Sequence, residues 1–167
     1  MRDGKNINLV IQALRKVPDA FLVVAGAVAS ANDKPFAAYQ ELAQQEGVGK
    51  RVKFYEGFVS NDELANYFAG TDFVLLTYSS AFHSQSGVLN IAVRARIPVL
   101  ASASPSPLLE SVSRFGLGVV IKPDSVEAII DGLGRLIGGK LQPRWKEYEA
   151  FADWDANARG ILEATGR

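Results

Sequence analysis

The sequence contains no cysteine and only one histidine. Without cysteine there are no disulfides, no thiol chemistry and no thiolate metal ligands. With one histidine, a zinc site would have to be built almost wholly from carboxylates, so no metal cofactor is expected. An excess of charge is missing too, because 18 Lys and Arg balance 18 Asp and Glu. General binders of nucleic acid carry a basic surplus, so nucleic acid is not an expected partner. No apolar run approaches the ~20 residues of a membrane-spanning helix. The polar start Met1-Arg2-Asp3-Gly4-Lys5-Asn6 does not read as a signal peptide. A cytoplasmic location is the resulting expectation.

What is present is an ordinary globular balance, 48% hydrophobic and 22% charged over 167 residues. A chain of this size forms one domain and buries roughly 68–70% of its unfolded surface without staples. Five short apolar runs read as strands: Phe21–Gly26, Arg51–Tyr55, Phe73–Tyr78, Pro98–Ala101 and Leu117–Ile121. Near-continuous apolar strands are the pattern of a parallel sheet covered on both faces. Amphipathic stretches separate them: Asn6–Val17, Pro35–Glu46, Ser60–Ala69, Gly87–Arg96, Ser106–Gly116 and Asp124–Ile137. Ser60 and Glu63 make a capping box, and Ser106-Pro107 supplies an N-cap with a first-turn proline. This alternation predicts an α/β, Rossmann-like doubly wound parallel sheet over residues 1–142. Residues 143–167 read as a helical tail of the same domain, with Trp145 and Trp154 as its packing anchors. Gly138-Gly139 reads as a helix C-cap or a hinge.

In such a sheet, ligands bind beyond the carboxyl ends of the strands. The loop after the third strand, Ser79-Ser80-Ala81-Phe82-His83-Ser84-Gln85-Ser86, holds the only histidine and four serines, and runs into Gly87. Ser86 is placed to cap the next helix, and Gly87 lets a ligand approach the backbone. Free N–H groups of that first helical turn make an anion site for a phosphate or diphosphate. Serine-rich loops ending in Ser-Gly also cap helices where no ligand binds, and local sequence leaves both readings open. No Gly-x-Gly-x-x-Gly and no Gly-Lys-Ser follows any strand, which argues against a dinucleotide or ATP site.

The ordered set of segments resembles the C-terminal, donor-binding half of a GT-B fold glycosyltransferase of the family-four type (glycosyl transferases group 1). Lys5-Asn6-Ile7 with Leu9–Leu14 resembles the family's Lys-Gly/Asn start and first helix, and Phe21–Gly26 its first following strand. Val52–Phe58, Asp62–Phe68 and Ala69–Leu76 continue the likeness in order. Ser86–Ala92 and Ile97–Ser102 match the donor loop, its helix and the next strand, followed by Leu109–Val112 and Gly116–Gly118. Phe151–Asp155 resembles an element near the family's C-terminus. The likeness spans nearly the whole chain.

The resemblance implies a domain that binds a nucleoside-diphosphate sugar for a retaining glycosyltransferase, without a metal. The N–H groups of Ser86, Gly87 and Val88 would hold the diphosphate, with Lys5 as the cation and Arg2 as a second candidate. Gly57 and Phe58 would meet the nucleobase, and His83, Ser84, Gln85 and Asn90 would line the rest of the donor. The family often carries two glutamates eight residues apart across this loop and helix. Here those positions are His83 and Ile91. His83 reads as a sugar or phosphate contact or as a structural loop residue, and Asn90 is the nearest polar group for a ribose. The family also places a strand ending in Gly-Arg before its Lys-Gly/Asn element, in the middle of the sheet. Its absence here predicts a mid-sheet gap, or two other strands forced together. The expectation is a fragment of an enzyme whose N-terminal acceptor domain is missing: alone it should not catalyse sugar transfer, and self-association through an exposed sheet edge or the C-terminal tail is a further expectation. A degenerate, non-catalytic GT-B half acting as a binding or assembly module is the alternative. A nucleotide-sugar epimerase half would bring more acidic and histidine residues to the cleft.

Overall fold

A computed structural model describes residues 3–28, 30 and 33–153. Arg2, Trp154 and the rest of the expected tail lie outside the described residues. Each apolar run becomes a strand: β1 (Leu22–Gly26), β2 (Val52–Glu56), β3 (Val74–Thr77), β4 (Val99–Ser102) and β5 (Gly118–Val120). The helices are α1 (Ile7–Ala13), α2 (Phe36–Gln45), α3 (Asn61–Ala69), α4 (Gly87–Arg94), α5 (Pro107–Phe115), α6 (Val126–Ile137) and α7 (Trp145–Phe151). The fold is α/β and Rossmann-like, and every strand pair is parallel. Among the described residues no helix is long and apolar enough to cross a membrane.

Local chemistry accounts for most boundaries. Ser60 and Glu63 form the reciprocal capping box at α3, and Ser106 caps α5 ahead of Pro107. The stretch expected as one helix over Asn6–Val17 is shorter, because α1 tightens into a 3-10 turn at Leu14–Lys16 ahead of Pro18. The helix expected from Asp124 starts two residues later. Ser125 accepts the Ala128 N–H at 3.2 Å and is the cap, while Asp124 turns left-handed at φ 57°.

Of the two outcomes that the missing strand predicts, the gap is the one found: the five strands form two sheets. One has the order β1-β2 and the other β3-β4-β5. The break falls between β1 and β3, where the family resemblance puts a further strand. β1 pairs only with β2, and β3 only with β4. Helix α1 spans the break. Its Ile7 and Ile11 pack with Val24, Phe36 and Val52, while Val10 and Ala13 pack with Leu100, Val119 and Ile129. One helix thereby joins the cores beneath both sheets. Residues on opposite sides of β4 serve different layers. Leu100 faces the α1–α6 layer, and Val99 and Ala101 face α4, α5 and α7. On β1 and β2 the face opposite α1 and α2 is only partly covered: Val23 and Tyr55 are each 49% exposed there, and the Tyr55 ring meets Tyr67 of α3 at 5.3 Å.

Helix α7 closes the layer over β4. Tyr148, more than Trp145, is its anchor: Tyr148 is 2% exposed within the core, and Trp145 packs at its margin. Gly138 and Gly139 end α6 as a cap, with Gly139 left-handed at φ 68° and its N–H on the Leu136 carbonyl.

Candidate functional site

Parallel strands end on a common side, and the loops that leave them there define the candidate site. Three segments converge beyond β3 and β5. The first is the N-terminal segment carrying Lys5. The Ser79 N–H donates to the Gly4 carbonyl at 2.8 Å, and the Thr77 hydroxyl donates to the Lys5 carbonyl at 3.0 Å. The backbone of Lys5 is thus stitched across the end of β3. Asn6 follows in the left-handed conformation, φ 52°. Glycine and asparagine adopt that conformation most readily, which gives a physical reason for a Lys-Gly/Asn element at this point.

The second segment is the loop after β3. Ser102 donates to the Tyr78 carbonyl at 2.8 Å, and Ser104 uses its hydroxyl on the Ser80 carbonyl and its N–H on the Phe82 carbonyl. The rings of Tyr78 and Phe82 stack with centroids 3.9 Å apart. His83, Ser84 and Gln85 stand exposed at the loop's tip, and Ser86 is buried.

Ser86 occupies the cap position of α4, but its hydroxyl does not cap the helix. It lies 3.0 Å from the Tyr78 hydroxyl, and the Ser86 N–H donates to Gln85 Oε1 at 3.0 Å. Among the described residues no side chain caps α4. Among the described residues the N–H groups of Gly87 and Val88, in its first turn, thus have no capping side chain. A Cβ at Gly87 would meet nothing within 4 Å, so packing within the chain does not require glycine there.

The third segment is the turn after β5. The Asp124 carboxylate accepts the Asn6 Nδ2–H at 2.9 Å on one oxygen and the Ser80 N–H at 2.9 Å on the other. The Ser80 hydroxyl first, then the Ser80 N–H and then Asn6 hold the Asp124 carboxyl below the usual carboxylate range by hydrogen bonding to its charged form.

The remaining sequence-derived residues are placed as follows. Gly57 and Phe58 lie at the carboxyl end of β2, on the other sheet. Gly57 has φ 141° and donates to the Gly26 carbonyl, and the Phe58 ring is 89% exposed. Asn90 accepts the Tyr148 hydroxyl at 2.6 Å, so as folded its carbonyl fastens α4 to α7. Ile91, at the position of the family's second glutamate, is half-buried. Sequence reasoning took Asp124 only as a helix start and missed its link to Asn6 and Ser80. Two adjacent residues able to cap α6, Asp124 and Ser125, were the available signal, since a helix takes one cap.

The family model described as "Glycosyl transferases group 1" matches residues 1–153. A curated relative, D-inositol 3-phosphate glycosyltransferase of Mycobacteroides abscessus, is 26% identical over 165 residues, which is 96% of this chain and 36% of that protein. Among solved structures, Anabaena HepE in complex with UDP superposes with a TM-score of 0.80 at 19% identity, covering 99% of this chain and 47% of its own. The C-terminal domain of a glycosyl transferase group 1 family protein (LpcC) from Francisella tularensis gives 0.64 at 25% identity, covering 83% of this chain and 71% of its own. The chain thus spans little more than a third of its curated relative and under half of the HepE chain.

Proposed function

The chain belongs to the glycosyl transferases group 1 family, and on that premise we propose that it is the nucleotide-sugar-binding half of a retaining glycosyltransferase. It takes a sugar from a nucleoside-diphosphate donor, while an N-terminal half supplies the acceptor side. A cytoplasmic location goes with this reading. The observation that carries it is the start of α4, with no side chain capping its first turn among the described residues and open space over Gly87, together with the Lys5 segment stitched to the end of β3, whose loop leads into that helix.

The chemistry suits that arrangement. Breaking the bond between the sugar and the diphosphate leaves negative charge on the departing oxygen. Fixed N–H dipoles at a helix start and one cation stabilise that charge without a metal. In this reading Gly87 and Val88 hold the diphosphate and Lys5 neutralises it. His83, Ser84 and Gln85 border the sugar, and Gly57 and Phe58 offer backbone and an exposed ring to the base. The UDP in HepE supports a nucleoside diphosphate as the first ligand to try.

A second reading has its own observation. His83 and Ile91 stand where the family often has glutamates, and a half-buried isoleucine accepts no hydrogen bond from a ribose hydroxyl. This favours a non-catalytic module. Titrating the chain with UDP, GDP and ADP, with amide shifts followed over residues 83–91, separates the two. Shifts there with one nucleotide support the donor domain. No shift with any of them, in a folded chain, supports the module. Joining an N-terminal half and reading the anomeric configuration of the product tests transfer and retention.

A further inference from the structure

Three loops meet at a single carboxylate. Asp124 joins the turn after β5 to Asn6 in the N-terminal segment and to Ser80 in the loop that leads into α4, each at 2.9 Å. Lys5 directly precedes Asn6, and its carbonyl is held by Thr77. Ser80 is itself pinned through its carbonyl by Ser104 at 2.5 Å. The side of the site carrying the cation and the side carrying the helix start are therefore tied through Asp124.

We propose that Asp124 is a positioning residue for diphosphate binding: it touches no donor atom, but sets where Lys5 stands relative to the first turn of α4. This rests on the donor-domain reading above. Both neighbours bring N–H groups to the carboxylate, one on each oxygen, and Ser80 adds its hydroxyl, a set of donors that only an ionised acid at 124 accepts in full. An amide there accepts one N–H and presents its own N–H to the other. The left-handed backbone at both Asn6 and Asp124, φ 52° and 57°, suits Asn and Asp equally, so the two can be exchanged without new backbone strain.

That exchange is the test. UDP affinity is measured for the whole chain and for Asp124→Asn, Asn6→Asp, the double exchange, Lys5→Ala, and Lys5→Ala combined with Asp124→Asn, with melting temperature followed throughout. Asp124→Asn should weaken UDP binding roughly tenfold, the size of one charge-assisted hydrogen bond. Asn6→Asp should weaken it as well, by facing two carboxylates. The double exchange restores donor to acceptor at both contacts, and should recover affinity to within about twofold. Lys5→Ala should cost about tenfold in the parent chain but only about twofold on the Asp124→Asn background, a loss of coupling that general destabilisation does not produce. Parent-level UDP affinity in Asp124→Asn overturns the positioning role alone. So does a folded double exchange that fails to recover, or a Lys5→Ala cost that is unchanged on the variant background. A parent chain that binds neither UDP, GDP nor ADP overturns the donor reading, and the positioning role with it.

Discussion

The Tyr78 hydroxyl lies 3.0 Å from the Ser86 hydroxyl, and this pairing keeps the residue at the cap position of α4 from capping it. A serine hydroxyl ordinarily turns onto the N–H two or three residues ahead. Here the Gln85 side chain takes the Ser86 N–H, Tyr78 takes the Ser86 hydroxyl, and the first turn stays available to an outside anion. Tyr78→Phe keeps the ring stack on Phe82 but frees Ser86 to cap. The expected result is UDP binding weakened several-fold, with helix stability unchanged or raised by about 0.5–1 kcal/mol. Calorimetric titration with parallel thermal melts reads both. Unchanged UDP affinity would mean that the start of α4 is not the anion site.

Two glycines separate binding from folding. A Cβ at Gly132 in α6 would lie 2.5 Å from Leu100 Cδ1 and 2.7 Å from Ile121 Cγ2. Gly132→Ala should therefore destabilise the chain by about 1–3 kcal/mol through overpacking, although alanine is the better helix former. At Gly87 the space is open. Gly87→Ala should leave stability unchanged or raise it by up to about 1 kcal/mol, while weakening UDP by screening the backbone from the phosphate. Denaturant melts and UDP titration of both variants check the contrast. Equal effects of the two on stability would contradict the geometry.

The parts of this fold legible in the sequence are those fixed by neighbours along the chain. The strands rose from apolar β-branched runs, and the Ser60–Glu63 box and the Ser106-Pro107 start needed only a few consecutive residues. That Ser86 leaves α4 uncapped was not legible, because a tyrosine eight residues earlier engages its hydroxyl. Asp124 was hidden for a similar reason: its partners lie 118 and 44 residues away. A gap in the sheet was one of two outcomes that the family resemblance predicted, and the choice between them is a fact about pairing between β1 and β3 that no local pattern records. Tyr148 outranks Trp145 as an anchor because it sits one turn into α7, facing Phe115 and Asn90, whereas Trp145 begins the helix.

At the end of the sheets away from the site, Arg51 gathers three carbonyls: Val17 at 2.9 Å, Ala20 at 3.0 Å and Leu14 at 2.8 Å. Leu14 lies in the turn that ends α1, where a cation is favoured, and Val17 and Ala20 follow it toward β1; the Leu14 and Val17 carbonyls also accept the Val17 and Ala20 N–H groups. The flat guanidinium reaches all three, and an ammonium does not. Arg51→Lys should cost about 1–2 kcal/mol, and Arg51→Ala about 2–3 kcal/mol. UDP affinity should stay at the parent value in both. A lysine that restores full stability would show that charge at the helix end, rather than the three-way geometry, is what matters.

Two carboxylates give the chain an acid limit with a definite sign. Glu63 is held below the usual carboxylate range by the Ser60 N–H and then its hydroxyl, at 2.9 and 2.8 Å. Asp124 is held below it by Ser80 and Asn6. A carboxyl whose folded pKa is depressed adds stability that is fully present above its unfolded pKa. That contribution is lost as pH falls through the folded value. Both contributions should thus be complete at neutral pH and fade only below the ordinary carboxylate range. Following the side-chain carboxyl carbons by NMR during an acid titration should show each group titrating below the ordinary range for its own residue type. Protonation of Asp124 should move the Ser80 and Asn6 signals together, while protonation of Glu63 should move Ser60 and the first turn of α3. If Asp124 titrates in the ordinary aspartate range, the bonds that join the loops do not persist in solution, and the convergence of the three segments on this carboxylate loses its basis.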